Sequence, residues 1–246
     1  MTDSRKHILV TGASSGIGAA IAEQQAARGH VLSLGARRTD RLPSGERTFC
    51  HALDVTDEAS VEAFLAAAVA ANGPIDVLVN NAGLARGTET MADADGVAWR
   101  EMIETNVMGV LHMTRRVVPS MIERRAGHVV MIGSIAGRLP YENGSVYCAT
   151  KASVRVIAQS LRQELFGTNV RVTTVDPGLV ETEFSLVRFR GDAEKAKVPY
   201  ENTRPLHAAD VADCVDFAIS RPPHVNIDDL LVTTTDQVSP TRVYRG

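Results

Sequence analysis

The chain has 246 residues, with 26 Lys+Arg against 29 Asp+Glu, a net charge of −3, and 44% hydrophobic side chains. That much apolar surface can offset chain entropy, which excludes a disordered chain, and the slight acidic excess offers no basic face to nucleic acid. No apolar run approaches a membrane span, and Cys50, Cys148 and Cys214 have neither the even number nor the spacing of a disulfide or zinc framework.

Met1 to Lys6 lead into a strand too short for the apolar core of a signal peptide, so a cytoplasmic chain is expected. That strand runs from His7 to Thr11. A helix follows from Gly16 to Arg28, where Ile17, Ala20, Ile21 and Gln24 recur at i, i+3, i+4 and i+7 and Gly29 ends it. A second strand is predicted at Val31 to Gly35, and Phe49 to Val55 holds a third. Asp57 and Glu58 favour a helix start, and the Ala-rich stretch beyond them stops at Asn72-Gly73-Pro74. Val77 to Asn80 reads as a fully buried strand. A long helix from about Val97 to Arg125 contains Pro119, where a kink or break is expected. Then come a strand at His128 to Ile132, a helix at Val146 to Phe166, a strand at Val170 to Val175, a helix at Ala208 to Ile219 and a strand at Leu230 to Thr234. Strands alternating with helices predict an α/β fold, a doubly wound sheet of about seven parallel strands with helices on both faces. No repeat or linker divides it, so residues 1–246 are expected to form a single domain.

The first strand and helix are joined by Thr11-Gly12-Ala13-Ser14-Ser15-Gly16-Ile17-Gly18. Glycines there let the backbone turn sharply and approach a pyrophosphate, while the helix N-terminus presents unpaired N–H groups to the anion. Gly12, Ser14, Ser15, Gly16, Ile17 and Gly18 are therefore candidate dinucleotide contacts. At the end of the second strand, where a carboxylate would bind the ribose 2′-OH of NAD, the chain reads Gly35-Ala36-Arg37-Arg38, with no acid until Asp40. Arg37 and Arg38 can instead fork onto a 2′-phosphate, which selects NADP.

Tyr147 and Lys151 stand at i and i+4 on one predicted helix face. A free phenol titrates near 10, and lowering it to about 7 takes about 4 kcal/mol of preference for the phenolate, which a neighbouring cation can supply. Ser134 lies just past the fifth strand, where a parallel sheet opens its ligand crevice. Asn106 sits inside a helix, a place Asn does not favour. Cys148 is expected to pack rather than react.

The Thr-Gly-xxx-Gly-x-Gly loop together with Asn106, Ser134, Tyr147 and Lys151, in that order and spacing, resembles the short-chain dehydrogenase/reductase family in its ordinary, non-extended form. The likeness runs from about residue 6 to 235, with no motif residue missing. The resemblance implies an oxidoreductase with a catalytic tetrad: Tyr147 as general acid/base, Lys151 holding the nicotinamide ribose and lowering the Tyr147 pKa, Ser134 positioning the carbonyl, and Asn106 fixing a water that links Lys151 to solvent. No metal is implied. It also implies adenine contacts from Asp54 and Val55 and a segment under the adenosine from Asn80-Asn81-Ala82-Gly83. The turn Pro177-Gly178 would lie beside the nicotinamide, and Val180 and Thr182 would hold the carboxamide.

The same resemblance places a substrate lid at about residues 184–203, followed by a tail at 235–246. The lid, Leu139-Pro140-Tyr141 and Pro223-His224-Val225-Asn226-Ile227 look like those of NADP-dependent 3-hydroxy acid (serine 3-) dehydrogenases and sulfoacetaldehyde reductases. Both act on small carbonyls that carry an anion. Tyr141 and Ser134 are then expected at the substrate, with Arg138, Arg188 and Arg190 as candidate anion partners. The tail is expected either to fray or to cross to a neighbouring subunit, and the family implies a homodimer or homotetramer. Two alternatives stay open: a reductase of an uncharged or bulky carbonyl such as a diketone, steroid or acyl thioester, and a non-catalytic NADP sensor.

Overall fold

The computed structural model describes residues 5–246; Met1 to Ser4 lie outside them. Seven strands, β1 (His7–Thr11), β2 (Val31–Ala36), β3 (Thr48–Ala52), β4 (Val77–Asn80), β5 (Gly127–Ile132), β6 (Val170–Pro177) and β7 (Asp229–Val232), pair in the order 3-2-1-4-5-6-7. Every pairing is parallel. Successive side chains on a strand point to opposite faces, and here both faces are covered, so the central strands are apolar throughout. Leu9, Leu78, Val129 and Met131 enter one core with Phe64, Met113 and Leu161. Ile8, Val10, Val77, Val79, Val130 and Ile132 enter the other with Ile21, Val211 and Ile219.

The first core is covered by α2 (Glu58–Asn72), α4 (Gly109–Arg124) and α5 (Ser145–Glu164); α1 (Gly16–Ala27) and α8 (Ala208–Ile219) cover the second. The sequence places α2 and α8 well. Asp57 caps α2 by accepting from Ala59 N at 3.0 Å, and Gly73 ends it at φ +79°.

One expectation needs correction. The long helix does not break at Pro119, which sits inside an uninterrupted α4. The irregularity lies earlier, in a wide π turn at Glu104–Met108 between α3 (Gly96–Ile103) and α4. Pro119 removes one backbone donor, a loss the flanking buried Val117, Val118 and Met121 can absorb, whereas Asn106 draws the π turn toward other partners. The third strand, Thr48–Ala52, sits where the sequence places it, and beyond it the Asp54 carboxylate turns the chain by accepting from Thr56 N at 3.0 Å and Thr56 Oγ1 at 2.7 Å.

The aperiodic stretch after β6 forms two short helices, α6 (Phe184–Arg188) and α7 (Ala193–Lys197), then one tight turn at Val198–Tyr200. Strand order reverses between β1 and β4, so the β1 and β4 loops part at the C-terminal edge and leave a crevice there.

Candidate active site

A cleft of about 1000 Å³ opens along that edge. Of the residues expected at the site, Gly18, Asn80, Asn106 and Arg138 are missing from its walls. Gly18 stands just behind the glycine loop, where an added Cβ would lie 2.5 Å from the Gly12 carbonyl oxygen. Gly12 (φ +67°) and Gly16 (φ +56°) adopt the left-handed conformation, and a Cβ on Gly12 would meet Ala82 Cα at 2.9 Å. Thr11 Oγ1 accepts from Asn81 N and Ala82 N, both at 3.0 Å, while Asn81 Nδ2 donates to Thr11 O at 2.9 Å and Gly12 O at 3.2 Å. The loop is thus bolted to the end of β4. Ser15 caps α1 with extended backbone and no side-chain cap bond, leaving first-turn N–H groups facing the cleft.

At the end of β2, Arg37 is exposed. Arg38 Nη2 donates to Ser15 Oγ at 3.0 Å and to Glu183 Oε2 at 3.1 Å. Arg41 meets the other Glu183 oxygen at 3.1 Å. This end of the cleft holds three guanidiniums.

The chemistry-bearing residues converge at the ends of β5 and β6. Ser134 lies at the exit of β5, and its Oγ accepts from Ala136 N at 3.1 Å, which fixes a single turn over Ile135–Gly137. A half-buried Tyr147 and a buried Lys151 project from α5. Burial pushes the Tyr147 phenol well above its ordinary value, opposed by its hydrogen bond with Ser134. Burial pulls the Lys151 ammonium down to about 8, with the Asp176 charge opposing, and Lys151 Nζ donates to Ile132 O at 2.9 Å.

Asn106 is 1% exposed, and both its amide hydrogens are used, to Leu84 O at 2.8 Å and to Thr150 Oγ1 at 3.0 Å. Its Oδ1 accepts from Leu84 N at 2.8 Å. The π turn aims this side chain at the β4–α3 connection and ties that loop to α5. A Cβ on Gly83 would lie 3.3 Å from Asn106 Oδ1 and 3.4 Å from Lys151 Nζ, so Gly83 keeps a gap between the two groups.

The three candidate anion partners separate. Arg138 is turned away from the cleft, with its Nε 2.7 Å from buried Asp176 and an Nη 2.6 Å from Asp229. That expectation fails because the two carboxylates claim the guanidinium. Arg190 is exposed and stands 3.8 Å from Glu101. Arg188 is half-buried on the cleft wall, where it donates to Tyr141 Oη at 3.1 Å and Gly87 O at 2.8 Å. Among the described residues no carboxylate pairs with it. Phe184 of the lid tilts against the Tyr147 ring with centroids 5.7 Å apart, and it shares a small core with Leu84, Met102 and Val187.

The tail packs back against its own chain. It folds as a hairpin closed by Tyr244 N donating to Asp236 O at 2.8 Å and by Val238 N donating to Arg242 O at 3.1 Å. Buried Gln237 accepts from Leu179 N at 2.8 Å, and Arg245 grips the carbonyls of Pro199 and Glu201 in the lid.

A family model described as short chain dehydrogenase matches residues 6–191. This chain belongs to that family. An NADP-dependent 3-hydroxy acid dehydrogenase of Salmonella typhi is 45% identical to this short-chain dehydrogenase over 97% of the chain and 99% of its own length. Sulfoacetaldehyde reductase 2 of Chromohalobacter salexigens is 42% identical over 94% of each chain. A solved structure, the closed form of serine dehydrogenase complexed with NADP+, superposes with a TM-score of 0.93 at 44% identity and covers 98% of this chain and 100% of its own.

Several residues of this short-chain dehydrogenase site escaped the sequence reading. Thr11 organises two backbone donors of the β4 loop, yet in sequence it is only a strand-end threonine. Asp176 had a visible signal, as a carboxylate inside a β-branched strand, and it is 1% exposed with its pKa raised by burial and held back by Arg138. Arg41, Glu183 and Gln237 carried none, since their partners are 142 or 58 residues away in the chain. Cys148 is buried as expected, and burial raises its thiol pKa.

Proposed function

We propose that this chain is an NADP(H)-dependent oxidoreductase that interconverts a small anionic aldehyde or ketone and its alcohol, of the 3-hydroxy acid, serine or sulfoacetaldehyde type. The relatives named above support the cofactor and the reaction class. The cleft fits the cofactor on its own evidence. A glycine cradle that a Cβ would fill and an open helix N-terminus suit a pyrophosphate, and Arg37 and Arg38 suit a 2′-phosphate. Lys151 and Thr182 would face the nicotinamide end. Asp54, Val55, Asn81, Ala82 and Gly83 would line the adenosine side, with Pro177, Gly178 and Val180 beside the ring. When bound, the nicotinamide supplies or accepts the hydride.

The protein's share of the chemistry is a proton at one oxygen. Tyr147 Oη gives its proton to the carbonyl oxygen as the alcohol forms, and takes it back in oxidation. Ser134 lies within hydrogen-bonding reach of that phenol and orients the same oxygen. A proton of Lys151 can reach the gap at Gly83, where Asn106 Oδ1 offers an acceptor for a bridging water. This gives Asn106 two tasks, tying the loop and serving the relay. Phe184 covers the phenol and excludes water.

The observation that carries the anionic substrate is Arg188. It is a guanidinium on the cleft wall with no carboxylate partner, preset by Tyr141 and Gly87, and near enough to Tyr147 to lower its pKa. A carboxylate or sulfonate would complete its fork. Arg190 at the rim supplies a weaker field. The test is NADPH oxidation by the purified protein with malonic semialdehyde, sulfoacetaldehyde and succinic semialdehyde against uncharged aldehydes and bulky ketones. We expect the small anionic set to turn over best, and preference for the uncharged or bulky set would overturn the substrate reading.

A homodimer or homotetramer belongs to the same proposal, supported by exposed Leu111, Ile122 and Val156 on α4 and α5 and by Phe166, 92% exposed, just beyond α5. No helix among the described residues is long and apolar enough to cross a membrane. The free thiols Cys50, Cys148 and Cys214 suit a reducing, cytoplasmic setting.

A further inference from the structure

Glu183 stands immediately before the lid segment, and its two carboxylate oxygens are divided between two guanidiniums at the far end of the cleft. Oε2 lies 3.1 Å from Arg38 and Oε1 lies 3.1 Å from Arg41. Arg38 also holds Ser15 of the glycine loop at 3.0 Å. All four residues line the same cleft, and among the described residues no other carboxylate pairs with Arg38 or Arg41. The next residue, Phe184, packs on Tyr147. One dipeptide therefore carries a carboxylate to the cations and an aromatic ring to the phenol.

We propose that Glu183 is a specificity-determining residue: its carboxylate occupies Arg38 and Arg41 in the cofactor-free enzyme, a 2′-phosphate displaces it, and Arg41 then serves as an additional phosphate cation. The inference rests on the reading that Arg37 and Arg38 face the 2′-phosphate. A phosphate monoester carries more charge and more acceptor oxygens than a carboxylate, so it wins the guanidiniums. A cofactor without the 2′-phosphate leaves Glu183 where it is. Displacement thus charges NADPH, and not NADH, with breaking the two ion pairs. Pairs this exposed each hold only weakly, so the apparent weakening of NADPH binding is about three- to tenfold. The release also frees the start of the lid, so the position of Phe184 over Tyr147 depends on which cofactor is bound.

The experiment is fluorescence titration of NADPH and NADH into wild type, Glu183→Gln, Arg38→Ala and the double variant Glu183→Gln/Arg41→Ala. Glu183→Gln should bind NADPH about three- to tenfold tighter and NADH within about twofold of wild type. Adding Arg41→Ala to Glu183→Gln should weaken NADPH by about tenfold and spare NADH. Arg38→Ala tests the underlying reading, since it must weaken NADPH far more than NADH; an equal loss for both would remove the phosphate site itself. If Arg38→Ala discriminates but Glu183→Gln binds NADPH no tighter, or tightens both cofactors alike, the displacement is wrong. An unchanged NADPH affinity in the double variant relative to Glu183→Gln would strike Arg41 from the phosphate site.

Discussion

The two walls of the cleft are built by different physics. The wall formed by the ends of β1, β4, β5 and β6 with α5 is backed by buried polar groups tied to one another and to buried backbone. Asn106 makes three hydrogen bonds, Lys151 is 6% exposed and Asp176 is 1% exposed. The opposite wall, the lid and tail, is held by half-exposed ion pairs and carbonyl contacts such as Glu183 with Arg41 and Arg245 with Glu201. Buried polar groups are costly to leave unpaired, so the first wall has one geometry. Exposed pairs contribute about 0–1 kcal/mol each, so the second can rearrange around a ligand. On the proposed function, reaction type would belong to the rigid wall and substrate choice to the pliant one.

The largest predicted effect strikes the rigid wall. Tyr147→Phe removes one hydroxyl from a ring already packed on Phe184, so the fold and NADPH affinity should persist while turnover falls by about 10³-fold or more. Near-normal turnover in a steady-state assay would break the division between the walls, because the proton would have to come from elsewhere.

A change in the pliant wall should act on one class of substrate. Arg188→Met keeps an unbranched apolar side chain but removes the guanidinium, which lies 5.8 Å from the Tyr141 ring centroid and 5.9 Å from that of Phe189. A charge-assisted hydrogen-bond pair lost in this way should cost about 10- to 150-fold in kcat/KM for an anionic aldehyde. An uncharged aldehyde should change by less than about threefold, since it never used the charge. Equal losses for both substrates would place Arg188 in the lid's structure instead of at the substrate.

The difference between the walls also explains what could be read in the sequence. Elements of the rigid wall are local: the apolar strands, the glycine loop and the i, i+4 spacing of Tyr147 and Lys151 lie in short windows, and β4 and α8 appear where the pattern places them. Arg138 shows the limit, because a guanidinium four residues after Ser134 looks suited to an anion until folding brings Asp176 and Asp229 to it from 38 and 91 residues away. The π turn was illegible for a related reason: Asn106 is drawn out of helical register by Leu84 and Thr150, neither of which is its neighbour in the chain. The tail hairpin likewise depends on Leu179 and Pro199. Local pattern marks what the backbone must do, while long-range pairing decides which charges remain free.

The smallest effect is a shift in stability, and it is the most discriminating for the rigid wall. Lys151 has its pKa lowered from 10.5 to about 8, so at neutral pH the protein holds an ammonium where burial disfavours it. A shift of that size corresponds to a cost on the order of 3 kcal/mol, partly offset by the hydrogen bond to Ile132 O, which contributes about 1–2 kcal/mol. Lys151→Met should therefore abolish turnover yet raise the melting temperature at pH 7 by about 2–6 °C. The sign with pH follows from proton counting. Between about 8 and 10.5 the unfolded chain keeps the Lys151 proton that the folded chain has released, so this residue's contribution to wild-type stability improves as pH rises through that window. The advantage of Lys151→Met should accordingly be largest below pH 8 and shrink toward pH 10.5 in calorimetric scans of the two proteins. A variant less stable than wild type at pH 7, or an advantage that grows with pH, would mean that the Asp176 charge already compensates the buried ammonium, and that the rigid wall holds its lysine without strain.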